Sequence, residues 1–214
     1  MENLHDRRKS YNKSELLETE IKNSPFEQFK IWFKEAEESP EISEANAMSI
    51  STIDADGCPR TRIVLLKAYD ENGFIFYTNY NSQKGKAIAE TGKVCLHFFW
   101  PSLERQISIK ADINKVSEQN SENYFHSRPR GSQLGAVVSP QSSEISNRDF
   151  LENKLENLEK QFEGKEIERP KDWGGFLAKP YEIEFWQGRP NRLHDRIVYK
   201  KISEGNWKIS RLAP

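Results

Sequence analysis

The chain has little cysteine: two thiols in 214 residues, Cys58 beside a turn and Cys95 in an apolar, strand-like stretch. Neither has a second Cys or a His at metal-ligand spacing, so no disulfide framework and no metal site are expected. Long hydrophobic runs are missing too. No apolar stretch approaches the roughly 20 residues that span a bilayer. The N-terminal Met1-Glu2-Asn3-Leu4-His5-Asp6 lacks a signal peptide's apolar segment, and a cytoplasmic protein without membrane contact is expected. There is no basic excess: 32 Lys+Arg against 33 Asp+Glu give a net charge of −1, which argues against a general nucleic-acid binder. Internal repeats, Walker-type glycine spacing and a Ser-His-Asp arrangement are also absent; the last argues against hydrolysis.

What is present is a charge-rich chain of mean hydropathy −0.83, long enough to bury a proper core. Residues 1–22 are polar and read as a flexible arm containing Arg7-Arg8-Lys9-Ser10-Tyr11. Residues 23–214 read as one domain. Ser24-Pro25-Phe26-Glu27 is a helix start with a capping box, followed by an apolar stripe of Phe26, Phe29, Trp32, Phe33 and Ala36. From Ala47 the period changes to two. Strands are expected at 47–53, 60–69, 74–79, 93–100, 105–116, 181–187, 192–201 and 206–212, with short polar turns. Helices are expected from Ser82 to Gly92, over 117–127 and over 146–162, and 164–174 reads as a polar connection. Six to eight antiparallel strands with three to five peripheral helices imply an α+β β-barrel.

Four stretches carry candidate chemistry. In Ile183–Arg196, Trp186 ends one strand, and Arg192, His194 and Arg196 alternate along the next, facing one way. Two guanidinium forks, an imidazole and an aromatic wall suit a planar anionic ligand. Asp195 then points to the other face, so a dyad with His194 is not expected. In Arg62-Ile63-Val64-Leu65-Leu66-Lys67 the two cations leave opposite faces of an apolar strand; snorkelling at the strand ends explains them as well as binding does. Tyr77-Thr78 followed by Ser82-Gln83-Lys84 places hydroxyls and a cation at a helix N-terminus, a phosphate cradle or ordinary capping. Tyr124 and Arg128 share a helical face, with Ser132 just beyond Pro129. His126 has no assigned role. Two Arg/Lys-plus-hydroxyl clusters and aromatic walls would fit two phosphorylated ligands.

Taken together, these stretches resemble the pyridoxamine 5'-phosphate oxidase family. The resemblance runs from Arg8 to the closing Trp207–Pro214, and rests on Glu184–Gln187, Arg192–Arg196, Arg62–Lys67, Tyr124–Arg130 and Gln141-Ser142-Ser143. It implies an FMN-binding split β-barrel acting as a homodimer, with FMN at the subunit interface. It further implies oxidation of pyridoxamine or pyridoxine 5'-phosphate to pyridoxal 5'-phosphate by O2, releasing hydrogen peroxide. By motif, FMN would meet Arg62, Ile63, Val64, Leu65, Leu66, Lys67, Tyr77, Thr78, Gln83, Lys84, Gln106, Gln141, Ser142, Trp186 and Arg196. The substrate phosphate would meet Lys67, Tyr124, Arg128 and Ser132. Arg192, Leu193 and His194 would flank the ring, with Arg192 and His194 catalytic, and Arg8, Lys9, Ser10 and Tyr11 would close over it. One departure stands out: Gln83 precedes Lys84 where many members carry Arg, which predicts weaker FMN binding. A split-barrel protein that binds flavin without this oxidase activity, a flavin reductase or flavin sensor, is the alternative.

Overall fold

The computed structural model describes residues 2–214; Met1, the tip of the expected arm, lies outside them. Ser24 starts the first helix, α1 (Pro25–Glu38), its hydroxyl accepting the Phe26 N–H at 3.3 Å. The reciprocal bond expected from Glu27 to the Ser24 N–H is not formed; Gln28 instead accepts the Lys22 N–H at 3.1 Å. The stripe of α1 fills the barrel. Phe29 is fully buried, with its ring 4.8 Å from Tyr69, 4.9 Å from Phe74 and 5.3 Å from Phe98. Truncating such a residue to Ala costs about 3–5 kcal/mol.

Nine strands and five α-helices lie among the described residues. The strands are β1 (Ala47–Ile53), β2 (Pro59–Leu65), β3 (Ala68–Asp70), β4 (Gly73–Asn79), β5 (Lys93–Trp100), β6 (Arg105–Lys115), β7 (Trp173–Gln187), β8 (Asp195–Ser203) and β9 (Asn206–Arg211). All pair antiparallel in the order β2-β1-β5-β6-β7-β4-β3, with β8 added to β7 and β9 to β8. The other helices are α2 (Gln83–Thr91), α3 (Glu118–Ser127), α4 (Arg130–Val138) and α5 (Asp149–Gln161). The result is an antiparallel split barrel. No helix among the described residues is long and apolar enough to cross a membrane.

Four expectations are corrected. The strand expected at 60–69 breaks at Leu66-Lys67. There the Leu66 N–H donates to Asn46 and the Lys67 N–H to Ile75, so the chain leaves β1 and joins β4. That handover curls the sheet. Helix α4 was not expected, because Pro129 stands at its N-cap and two glycines dilute its pattern. Strand β7 starts at Trp173, at the end of the connection expected over 164–174 and eight residues before the strand expected at 181–187. Its Pro180 lies opposite Ala111, where β6 shifts register between Lys110 and Ala111, so the missing N–H is tolerated. Strand β8 starts at Asp195. Arg192 lies in the tight turn Pro190–Arg192, where Asn191 (φ 56°) and Arg192 (φ 62°) are both left-handed. The shared strand face of Arg192, His194 and Arg196 therefore does not exist.

Candidate active site

The expected residues gather into three groups. The first is a polyvalent cradle at the start of α2. Ser82 caps that helix by accepting the Gly85 N–H at 3.3 Å. One turn of chain then places Lys84 under the end of β4, where its ammonium donates to the Thr78 hydroxyl (3.2 Å) and the Gln141 side-chain oxygen (3.0 Å). Thr78 also donates to Gln141, at 3.0 Å. Lys84 is buried, and burial, followed by repulsion from Arg62, pulls its pKa down to about 8. Arg62 on β2 gives one nitrogen, Nη1, to Thr52 (2.8 Å) and to the Ile50 carbonyl (3.3 Å). Its Nη2 is buried and has no partner. Lys84 and Arg62 repel one another beside this unsatisfied guanidinium N–H, and the opposing charge at Arg62 is the Asp54 carboxylate, which Arg60 also engages. The neutral Gln83 is not alone: Arg60 donates to its side-chain oxygen at 2.6 Å while pairing with Asp54 at 2.7 Å.

The second group surrounds Arg128, just past the end of α3. Tyr77 stacks on Tyr124 with ring centroids 3.8 Å apart, and Trp173 lies nearly parallel to both, at 5.7 and 6.2 Å. The Arg128 guanidinium rests 4.6 Å over the Trp173 ring, and its Nη1 is buried without a partner. Burial lowers its pKa and raises those of both tyrosines. Ser132 sits in the first turn of α4, whose N-cap, Pro129, provides no side-chain cap. The group thus combines an unpartnered guanidinium N–H with a helix N-terminus that has no side-chain cap. Trp173 was missed in the sequence. Its one signal was the Gly174-Gly175 pair, since a Cβ on Gly175 would lie 2.7 Å from the Tyr77 ring.

The third group lies on β6, β7 and β8. Gln106, Trp186 and Arg196 are direct cross-strand neighbours in one row. Arg196 forks onto Glu184 (2.8 and 3.0 Å) and donates to the Ala213 carbonyl at 2.9 Å, so Glu184 secures its charge. Beyond the row, the His194 ring lies 4.6 Å from Trp186. Its Nδ1 accepts the Arg189 N–H at 3.0 Å, which leaves the ring proton on Nε2. Burial, followed by Arg192, lowers the His194 pKa, with Asp195 opposing. Asp195 itself is engaged elsewhere, with Arg211 and the Leu16 N–H. Tyr11 packs against Trp186 at 5.9 Å and His194 at 5.8 Å. Together with Arg7, Arg8, Lys9, Ser10, Arg189, Asn191, Arg192 and His194 it lines a cleft of about 590 Å³.

Several expected residues stay apart from these contacts. Lys67, Ser142 and Leu193 are exposed, and Ile63 is 64% exposed on β2. Val64 and Leu65 are partly buried, and Leu66 belongs to the core. Among the described residues no hydrogen bond or ring contact joins the third group to the first two.

The fold places the chain among the split barrels. It matches an FMN-binding, pyridoxamine 5'-phosphate oxidase-related protein from Nostoc punctiforme with a TM-score of 0.70 at 14% identity, covering 89% of this chain and 98% of that one. More narrowly, the chain belongs to the pyridoxamine 5'-phosphate oxidase family. Residues 34–162 match the family model for pyridoxamine 5'-phosphate oxidase, and residues 173–214 match that for the pyridoxine 5'-phosphate oxidase C-terminal dimerisation region. The pyridoxine/pyridoxamine 5'-phosphate oxidase of Flavobacterium psychrophilum is 58% identical over all of both chains. That of Gloeothece citriformis is 49% identical over 100% of this chain and 99% of its own. PhzG of Burkholderia lata, solved with tetrahydrophenazine-1-carboxylic acid, superposes with a TM-score of 0.86 at 26% identity, covering 95% of this chain and 100% of that one.

Proposed function

We propose that the protein is an FMN-dependent oxidase that converts pyridoxamine 5'-phosphate and pyridoxine 5'-phosphate to pyridoxal 5'-phosphate. Dioxygen is the final acceptor, and hydrogen peroxide is released, with ammonia from the amine. The observation that carries this reading is a pair of buried, unpartnered guanidinium nitrogens, Arg62 Nη2 and Arg128 Nη1, in two separate clusters. Each is suited to one phosphate, and the reaction needs two phosphate-bearing molecules side by side.

FMN, held by these residues, would supply the two-electron redox chemistry, with dioxygen as the final acceptor. The chain's residues bind and orient. Arg62 and Lys84 hold the cofactor phosphate, with Thr78 and Gln141 fixing the ammonium. Gln106, Trp186 and Arg196 supply a flat polar wall for the flavin. Arg128, Tyr124, Ser132 and the exposed Lys67 hold the substrate phosphate. Arg192 and His194 flank the reacting carbon, and His194 offers Nε2–H because Nδ1 is occupied. Trp186 and Tyr11 exclude water from that side. Within one chain no hydrogen bond or ring contact among the described residues joins either phosphate cluster to the third group, so the two halves meet across a homodimer interface. The dimerisation region that ends the chain contains Trp186, Arg192, His194 and Arg196, which supports that assembly.

The test is direct. The purified protein is incubated with FMN and pyridoxine 5'-phosphate in air, and aldehyde and peroxide are followed. Equal yields of both are expected. A yellow protein that makes neither belongs to the flavin-binding alternative.

A further inference from the structure

Glu104 stands out as a buried carboxylate that the reaction does not use. It is 2% exposed and left-handed (φ 56°) at the end of a short turn, Pro101–Leu103. Its Oε2 accepts two main-chain N–H groups of the N-terminal arm, from Asn12 at 2.8 Å and Lys13 at 3.0 Å. The other oxygen has only the Lys9 ammonium, 3.9 Å away and largely in solvent. Its main-chain carbonyl faces the opposite direction and accepts the Gly188 N–H at 2.7 Å and the Gln187 side-chain N–H at 3.3 Å. Gly188 in turn lies directly under Tyr11. A Cβ there would stand 2.8 Å from the tyrosine ring.

One residue thus ties both sides of a single contact. Its carboxylate grips the arm just after Tyr11, and its carbonyl holds the glycine on which Tyr11 rests. With the arm lifted, the carboxylate would exchange two charge-assisted main-chain hydrogen bonds for water. The docked arm is thereby favoured.

We propose that Glu104 is a positioning residue that seats the N-terminal arm, so that Tyr11 forms one wall of the substrate cleft beside Trp186 and His194. The inference rests on the oxidase reading only for its kinetic consequence; the docking itself does not depend on it.

The experiment uses the full-length FMN-loaded protein and the variants E104A, E104Q, Y11A and E104A/Y11A. Limited trypsinolysis reports the arm through cleavage after Lys13. Steady-state kinetics with pyridoxine 5'-phosphate report the cleft. In E104A, cleavage is expected about tenfold faster and KM about tenfold higher, with kcat within about twofold of the parent and FMN affinity unchanged. E104Q, whose neutral amide oxygen accepts the same two N–H groups, is expected to fall between the parent and E104A in both readouts. E104A/Y11A is expected to have the KM of Y11A. If E104A does not fold, Asn12→Pro removes one donor and leaves the Glu104 turn intact, and the same faster cleavage is expected. Unchanged cleavage in E104A and Asn12→Pro would overturn the proposal, as would an E104Q as impaired as E104A, or additive KM effects with Y11A. A protein without oxidase activity would remove the kinetic readout but leave the proteolysis comparison decisive.

Discussion

The Lys84 ammonium donates to the Gln141 side-chain oxygen at 3.0 Å, joining the first turn of α2 to a loop 57 residues away. The contact orders a loop that is otherwise exposed. It also fixes a cation whose burial pulls its pKa down to about 8. A phosphate bound there would favour the protonated amine, so FMN affinity should be full below about pH 8 and fall as pH rises through it. In Lys84→Met that pH dependence should disappear and affinity should be low throughout. Fluorescence titration of FMN into apoprotein across pH 7 to 9.5 checks both outcomes.

Arg60 brings a positive charge beside the neutral Gln83. It binds the Gln83 side chain and is itself held by Asp54, within range to repel Arg62. Arg60→Ala should weaken FMN binding about three- to tenfold, as expected for a partly screened charge near a phosphate. Adding Gln83→Arg to that variant should restore the loss. A titration in which Arg60→Ala matches the parent would show that Asp54 neutralises Arg60 fully.

Arg128 has a buried nitrogen free for a phosphate oxygen. A charge-assisted hydrogen bond contributes about 1.5–3 kcal/mol, so Arg128→Ala should raise KM about 10- to 150-fold. FMN affinity should not change. Steady-state kinetics and equilibrium titration on the same preparation separate the two effects.

Arg192 sits in a left-handed turn with its side chain exposed to the cleft, and its guanidinium has no hydrogen-bond partner among the described residues. Left-handed backbone in a residue with a Cβ is strained, and such strain concentrates at functional sites. Arg192→Ala should lower kcat and kcat/KM together, by about a hundredfold, while FMN stays bound. Arg192→Lys should recover little, because a point charge does not reproduce the planar fork.

The elements built on a clean period were legible in the sequence. The stripe of α1, the Ser82 cap and strands β1, β4, β5 and β6 follow from apolar spacing and turn residues. The misreadings share one cause, since backbone interrupted for a tertiary reason looks like an interruption of structure. Leu66-Lys67 changes strand partners without a turn signal. Trp173–Lys179 hides a strand behind two glycines that make room for Tyr77 and Tyr80. Arg192 looked like a strand residue because alternation in sequence does not reveal two left-handed residues. Two cation-plus-hydroxyl clusters and a separate C-terminal group were readable in the sequence; the approach of Arg62 to Lys84 and the Trp173 ring beneath Arg128 were not. Glu104 gave no signal at all, because its partners are main-chain N–H groups about 90 residues earlier.

The central claim is that each active site is assembled from two chains: the phosphate clusters of one and the Trp186-Arg192-His194 group of the other. Mixed dimers test it most directly. Lys84→Met and Arg192→Ala disable opposite halves, and each variant alone should be nearly inactive. Unfolding an equal mixture and refolding it with FMN should make about half of the dimers mixed, each with one intact site. Recovery to about a quarter of the parent's activity is expected. Activity no greater than the sum of the two separate variants would mean that each site lies within a single chain, and would contradict the claim.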